Sequence, residues 1–190
     1  MKHFRFATPF IVILGLALIL TACNEAPWVM RYDAKQASLA ADAALARGAD
    51  KAAPAEYSAA MAILGKANEM VKEGKFTPSI KVYRDAKVAF DKAAFIAMTE
   101  AEKKAVIDKI NKKISSLEEN WKKLEGEAAL SDKKAAFDEA SKAFAQGITE
   151  AKGMIATDTI GADVKANELK VVFYDKWNYD FTPLLPLKKS

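Results

Sequence analysis

Apolar residues run along this chain in two different rhythms. From Phe6 to Leu20 they are almost uninterrupted, whereas beyond residue 30 they recur every three or four positions. The second rhythm is sharpest in Ile107, Ile110, Ile114, Leu117, Trp121 and Leu124, which alternate steps of three and four and form a coiled-coil seam. Phe137, Ala140, Phe144, Ile148, Ala151 and Ile155 repeat in the same way, so a matching seam is at hand. The two predict an antiparallel hairpin, with self-association through the same seam as the competing outcome.

Weaker periodicity precedes that pair. An Ala-rich helix is expected from about Met30 to Arg47, because Pro27 discourages an earlier start and Gly48 is placed to end it. A second helix follows Pro54 and closes before Gly74, with Tyr57, Met61, Leu64, Ala67 and Val71 as its inner face. The short connection implies that these two helices lie antiparallel. Thr77 as cap and Pro78 in the first turn open a third helix, which turns Tyr83, Ala86, Ala89, Phe90, Ala93 and Ala97 inward. Thr99-Glu100-Ala101-Glu102 has the makings of a cap, yet no Gly or Pro enforces a break, so one rod from about Pro78 to Leu124 is predicted. Gly126 loosens the chain, and Ser131 with Asp132 can cap the next helix.

The C-terminal stretch changes character. Five aromatics fall between Phe173 and Phe181, and Pro183 and Pro186 prevent regular continuation. Residues 166–176 suit another helix, although Val171, Val172 and Phe173 also suit a strand. The aromatics either cover an end of the bundle or form an exposed segment that recruits a partner or glycan. The fold class is therefore all-α: an elongated bundle of two antiparallel hairpins sharing a long coiled-coil-like helix, with an irregular aromatic tail. Its divisions are a signal at 1–22, a tether at 23–29, a helical bundle at 30–165 and the aromatic segment at 166–190. Asp85 to Ala93 and Asp132 to Ala140 match at six of nine positions, a partial internal echo.

The uninterrupted run at the start has its own meaning. Lys2 and Arg5 precede it and the small residues Thr21 and Ala22 follow, the three-part layout of a secretory signal. Leu20-Thr21-Ala22-Cys23 resembles the lipobox of bacterial lipoproteins. That resemblance implies cleavage between Ala22 and Cys23, a diacylglyceryl group on the Cys23 thiol, and a further acyl chain such as palmitate on the new amino group. Two or three chains at about 0.8 kcal/mol per buried CH₂ anchor stably where one is marginal. By analogy with lipoprotein sorting, Asn24 favours the periplasmic face of the outer membrane. Trp28 would then sit at the membrane interface or pack on the domain.

Cysteine and histidine usage narrows the chemistry. Cys23 is the only Cys and His3, within the signal, the only His. The processed chain thus has no free thiol and no imidazole, which excludes disulfides, Cys/His zinc sites and Ser-His or Cys-His nucleophile pairs. There is no glycine-rich phosphate loop, and no cofactor is expected. Losing Lys2 and Arg5 takes two units from a formal net charge of +4, and no Lys/Arg patch interleaves with aromatics, so nucleic-acid binding is not expected. The lysines around the seam, among them Lys103, Lys104, Lys109, Lys112, Lys113, Lys122 and Lys123, read with Glu118 and Glu119 as solvated helix faces.

Within residues 37 to 97, the segment Arg47-Gly48-Ala49-Asp50-Lys51-Ala52-Ala53-Pro54-Ala55-Glu56-Tyr57, followed by Leu64, Ala67 and Gly74-Lys75-Phe76, resembles an Ala-rich helical family of bacterial envelope lipoproteins. Members are often joined to an OmpA-like peptidoglycan-binding domain, and nothing downstream here looks like one. The expected function is non-enzymatic: a periplasmic scaffold or adaptor with an envelope protein as partner. The alternative is a peptidoglycan-associated tether, for which Lys188-Lys189-Ser190 resembles a wall-coupled lysine terminus. A third reading, a carboxylate-dependent enzyme or small-ligand carrier, would draw on Asp85, Asp91, Asp132, Asp138 and Glu139.

Overall fold

A computed structural model describes residues 26–128 and 133–181. The protein is an all-α helical bundle, and no strand occurs among the described residues. The chain divides at Ala97/Met98 into two compact units, each closing its own core.

In the first unit, α1 spans Ala26–Ala46, the single turn α2 Ala49–Ala52, α3 Pro54–Lys72 and α4 Phe76–Ile96. Helix α1 starts four residues before the expected Met30, because proline is tolerated in a first turn, where its missing N–H has no helical partner anyway. The four residues assigned to the end of a tether are therefore helical. Gly48 ends α1 at φ 74°, and Gly74 ends α3 at the same φ, a left-handed conformation that costs glycine little. Gly74 N–H donates to Val71 O at 3.0 Å and Lys75 N–H to Met70 O at 2.8 Å, the paired bonds of a Schellman motif. Pro54 occupies the first turn of α3 as expected. Helix α4 begins earlier than expected, at Phe76, with Lys75 rather than Thr77 in the cap position.

Helix α4 is the centre of this unit. It runs antiparallel to α3, bringing Tyr83 to Asn68 and Phe90 to Tyr57, and parallel to α1, bringing Arg84 to Asp33. The first helix therefore lies antiparallel to α3 as expected, although it packs mainly on α4 and meets α3 little. Alanines make this possible. Ala37, Ala44, Ala60, Ala67, Ala86 and Ala93 are all fully buried, and a bare Cβ at each position lets backbones approach closely. Fully burying a larger side chain such as Phe90 is worth about 1.5–3 kcal/mol. On α3 the expected inner face is met at Tyr57, Leu64, Ala67 and Val71, which pack into the core of the unit, whereas Met61 is 46% exposed and its neighbour Ala60 is buried instead.

In the second unit, α5 spans Glu100–Ala128, α6 Lys134–Met154 and α7 Thr159–Leu169, followed by a π-helical turn at Lys170–Asp175 and α8 at Lys176–Phe181. The predicted single rod from Pro78 to Leu124 is broken. Thr99 N–H donates to Glu102 Oε2 at 2.9 Å, and Glu102 N–H donates back to Thr99 Oγ1 at 3.3 Å. This capping box starts a new helix with no Gly or Pro. The two seams do pair, antiparallel, with Ile110, Ile114, Leu117, Trp121 and Leu124 from α5 and Phe137, Phe144, Ile148 and Ala151 from α6. Trp121 lies between Phe137 at 4.8 Å and Phe144 at 4.3 Å, stacked on both, while its Nε1–H donates to Ser141 Oγ at 3.0 Å.

A third helix completes that core. Asp158 caps α7 by accepting from Gly161 N–H at 2.9 Å, and α7 runs antiparallel to α6 with Leu169 seated on Gly147. Ala162, Ala166, Leu169 and Trp177 are buried, and Phe173 packs edge-on to Trp121. The expected irregular tail is therefore helical as far as Phe181. The extra residue per turn of the π-helical stretch leaves Val171 and Val172 exposed while Phe173 and Trp177 turn inward. Ser131 and Asp132, the expected cap of α6, and Pro183 and Pro186 lie outside the described residues.

Candidate functional site

Leu20, Thr21, Ala22 and Cys23 lie outside the described residues, as does Lys188-Lys189-Ser190. Cys23 precedes the first residue of α1 by three positions, so the chemistry assigned to it adjoins the start of the first unit in sequence.

Three of the candidate acids are paired within their own helices. Asp85 accepts from Lys81 at 2.8 Å on α4, Asp91 from Lys87 at 2.5 Å on the same helix, and Asp138 from Lys134 at 2.5 Å on α6. Each is one member of an i, i+4 pair on its own helix, an arrangement worth only a few tenths of a kcal/mol in water. Glu139 is exposed and Asp132 lies outside the described residues. Among the described residues, no three acidic or His/Cys side chains are placed to hold a metal ion. The internal echo resolves into the same local unit, a Lys/Asp pair beside a buried Phe, with Phe90 and Phe137 both enclosed. The two copies sit on the third long helix of one unit and the second of the other.

The seam lysines also form surface pairs. Lys103 bonds Glu100, Lys104 bonds Asp108, and Lys152 of α6 crosses to Glu118 of α5 at 2.8 Å. Lys113 joins α5 to α7 through Asp163 and, at 3.0 Å, Asn167 Oδ1. Lys165 donates to Glu150 at 2.8 Å across α6 and α7. That hydrogen bond, with one from Gln146, holds the Glu150 carboxyl below its ordinary range, and the bond to Glu150 lifts Lys165 above its own. These interactions clamp helices to one another.

Enclosed polar groups serve the packing too. Asp33, 7% exposed, is bound by Arg84 Nε at 3.0 Å. Ser79 donates to Phe76 O at 2.7 Å and Thr159 to Ile155 O at 2.8 Å. Burial pushes the Tyr83 phenol above its usual range, and its hydroxyl donates to Asn68 Oδ1 at 2.8 Å.

What stands apart is a surface feature. Trp28 and Tyr32, one turn apart near the start of α1, are 73% and 55% exposed, with ring centroids 6.3 Å apart and planes 19° from parallel. The sequence allows Trp28 at a membrane or in the core, and the structure gives it no contact with the buried clusters. Tyr32 was not singled out at all; its i, i+4 spacing from Trp28 and Leu39's further i+7 step were the available signal. No helix among the described residues is long and apolar enough to cross a membrane. Comparison with family models, curated proteins and solved structures finds no match to this chain.

Proposed function

We propose that this chain is a lipoprotein of the bacterial cell envelope, anchored through acylated Cys23, whose helical units act by contact as a scaffold or adaptor for other envelope proteins. The observation that carries the reading is the basic start, apolar run and Leu20-Thr21-Ala22-Cys23 ending within the first 23 residues. The structure is compatible with a contact role: Asp85, Asp91 and Asp138 are each engaged by a lysine one turn away on the same helix.

The test has two arms. Mass measurement of the protein taken from its own membranes should find the chain beginning at an acylated Cys23, and Cys23→Ser should release it from the membrane fraction. An unmodified N-terminal Met1 on a membrane-held protein would sink the lipoprotein reading. For the adaptor role, crosslinking in the envelope followed by capture should return a distinct protein; return of the chain alone would remove it. Co-sedimentation with purified sacculi separates the alternative, a wall-binding tether suggested by the family resemblance and by Lys188-Lys189-Ser190.

A further inference from the structure

Helix α1 has two faces of opposite kind. Met30, Ala37, Ala40 and Ala44 are buried against the rest of the first unit, while Trp28, Tyr32 and Leu39 line the opposite side and are all more than half exposed. Two stacked aromatics on a solvent face cost hydrophobic free energy unless something covers them.

The charges around the rings indicate the covering surface. Arg31 and Lys35 flank them, both exposed, and neither forms an ion pair among the described residues. Asp33, the acid nearest the rings on α1, is turned away into the contact with Arg84; the helix's other acid, exposed Asp42, lies two turns beyond Lys35, and Glu25 just precedes the helix in sequence. This end of the helix therefore presents two amphipathic rings bordered by cations, with its acid withdrawn. Trp and Tyr settle at the headgroup level of a bilayer, and each nearby Lys or Arg is attracted to anionic lipid.

We propose that the Trp28/Tyr32 face of α1 rests on the headgroup layer of an anionic lipid bilayer. The inference rests on the lipoprotein reading for its anchor and adds where the domain touches the membrane. Trp28 stands five positions after Cys23, at most about 18 Å of chain, so an anchor at Cys23 holds the rings within reach of the headgroups. Two rings and two cations alone adsorb weakly; a tether this short raises their effective concentration at the surface to the millimolar range or above.

The experiment supplies the tether chemically, so that it does not depend on acylation. The chain from Cys23 onward is coupled through its thiol to maleimide-bearing lipid in phosphatidylcholine vesicles with or without phosphatidylglycerol. Trp121 and Trp177 are 3% and 7% exposed, so the change in emission belongs to Trp28, and Trp28→Phe should abolish it. On phosphatidylglycerol vesicles the emission should move to shorter wavelength and be quenched by brominated lipid. Arg31→Glu with Lys35→Glu should remove most of that quenching while leaving the helical melt unchanged. Acrylamide reaching Trp28 as freely in the tethered as in the free chain would overturn the proposal. Protection that rises with protein concentration without vesicles would also overturn it, assigning the face to a second copy. Acylation is read separately by mass, so a chain unmodified in its own membranes defeats the lipoprotein reading without deciding the quenching result.

Discussion

Asp33 Oδ2 accepts a 3.0 Å hydrogen bond from Arg84 Nε, joining α1 to the helix that runs parallel beside it. The carboxylate is enclosed, whereas much of the guanidinium remains in water. Removing the cation therefore strands a buried acceptor. Arg84→Ala should lower the stability of the first unit by about 1–2 kcal/mol, at the lower end of the range for a buried orphan because the partner is solvent-screened. Urea denaturation measures it, and an unchanged midpoint would show that water replaces the guanidinium at no cost.

Ala93 sits fully buried on α4 among Ala40, Ala44 and Phe90. Ala93→Leu adds three carbons where no space is left and should cost about 1–3 kcal/mol. A melting temperature equal to that of the parent chain would contradict the close helix approach.

Two glycines at helical positions should respond to alanine with opposite sign. At Gly65, exposed and with open space where a Cβ would stand, Gly65→Ala should gain about 0.5–1 kcal/mol from helix propensity. At Gly147 the new methyl would press into the Leu169 side chain, itself enclosed by Trp121's core, so the propensity gain is outweighed. Gly147→Ala should be net destabilising by about 1 kcal/mol. Thermal melts of the two variants side by side decide the sign.

Tyr83 links stability to alkaline pH. Its phenol is raised by burial, so the folded state favours the neutral form. That contribution is fully present below the ordinary tyrosine range near pH 10 and is lost as pH rises through the folded value. Stability of the first unit should fall on going above about pH 10, and Tyr83→Phe should flatten that fall. The same variant gives up the bond to Asn68, about 0.5–1.5 kcal/mol at neutral pH. Equal alkaline slopes in urea titrations of the two proteins would remove Tyr83 as the cause.

Large residues at steps of three and four made the paired seams legible, since Ile114, Trp121, Phe137 and Phe144 have one face each to offer and it is the buried one. Alanine-rich α3 was harder. Tyr57, Leu64, Ala67 and Val71 lie on the expected side, but Ala60 is buried in place of Met61, because an alanine looks the same on either side of a helix and the bulkier neighbour stands out in the pattern. The break at Thr99 was written in Thr99 and Glu102 and lost to the absence of a stronger breaker. The helical form of the tail depended on the Asp158 cap and on the π-helical turn, which shifts the register of Phe173 and Trp177 in a way no regular period reveals. As for the candidate site, Cys23 stands out by composition alone. The exposure of Trp28 depends on α1 starting at Ala26, which sets the side of the helix on which the ring stands.

The capping box at Thr99 has an evolutionary meaning as well. Each core cluster draws its residues from one side of that junction only. A substitution inside one cluster therefore acts first on the contacts of its own unit. One half can change its surface to suit a new neighbour while the other keeps its shape, and the junction is where such a chain could be cut, lengthened or recombined with the least damage.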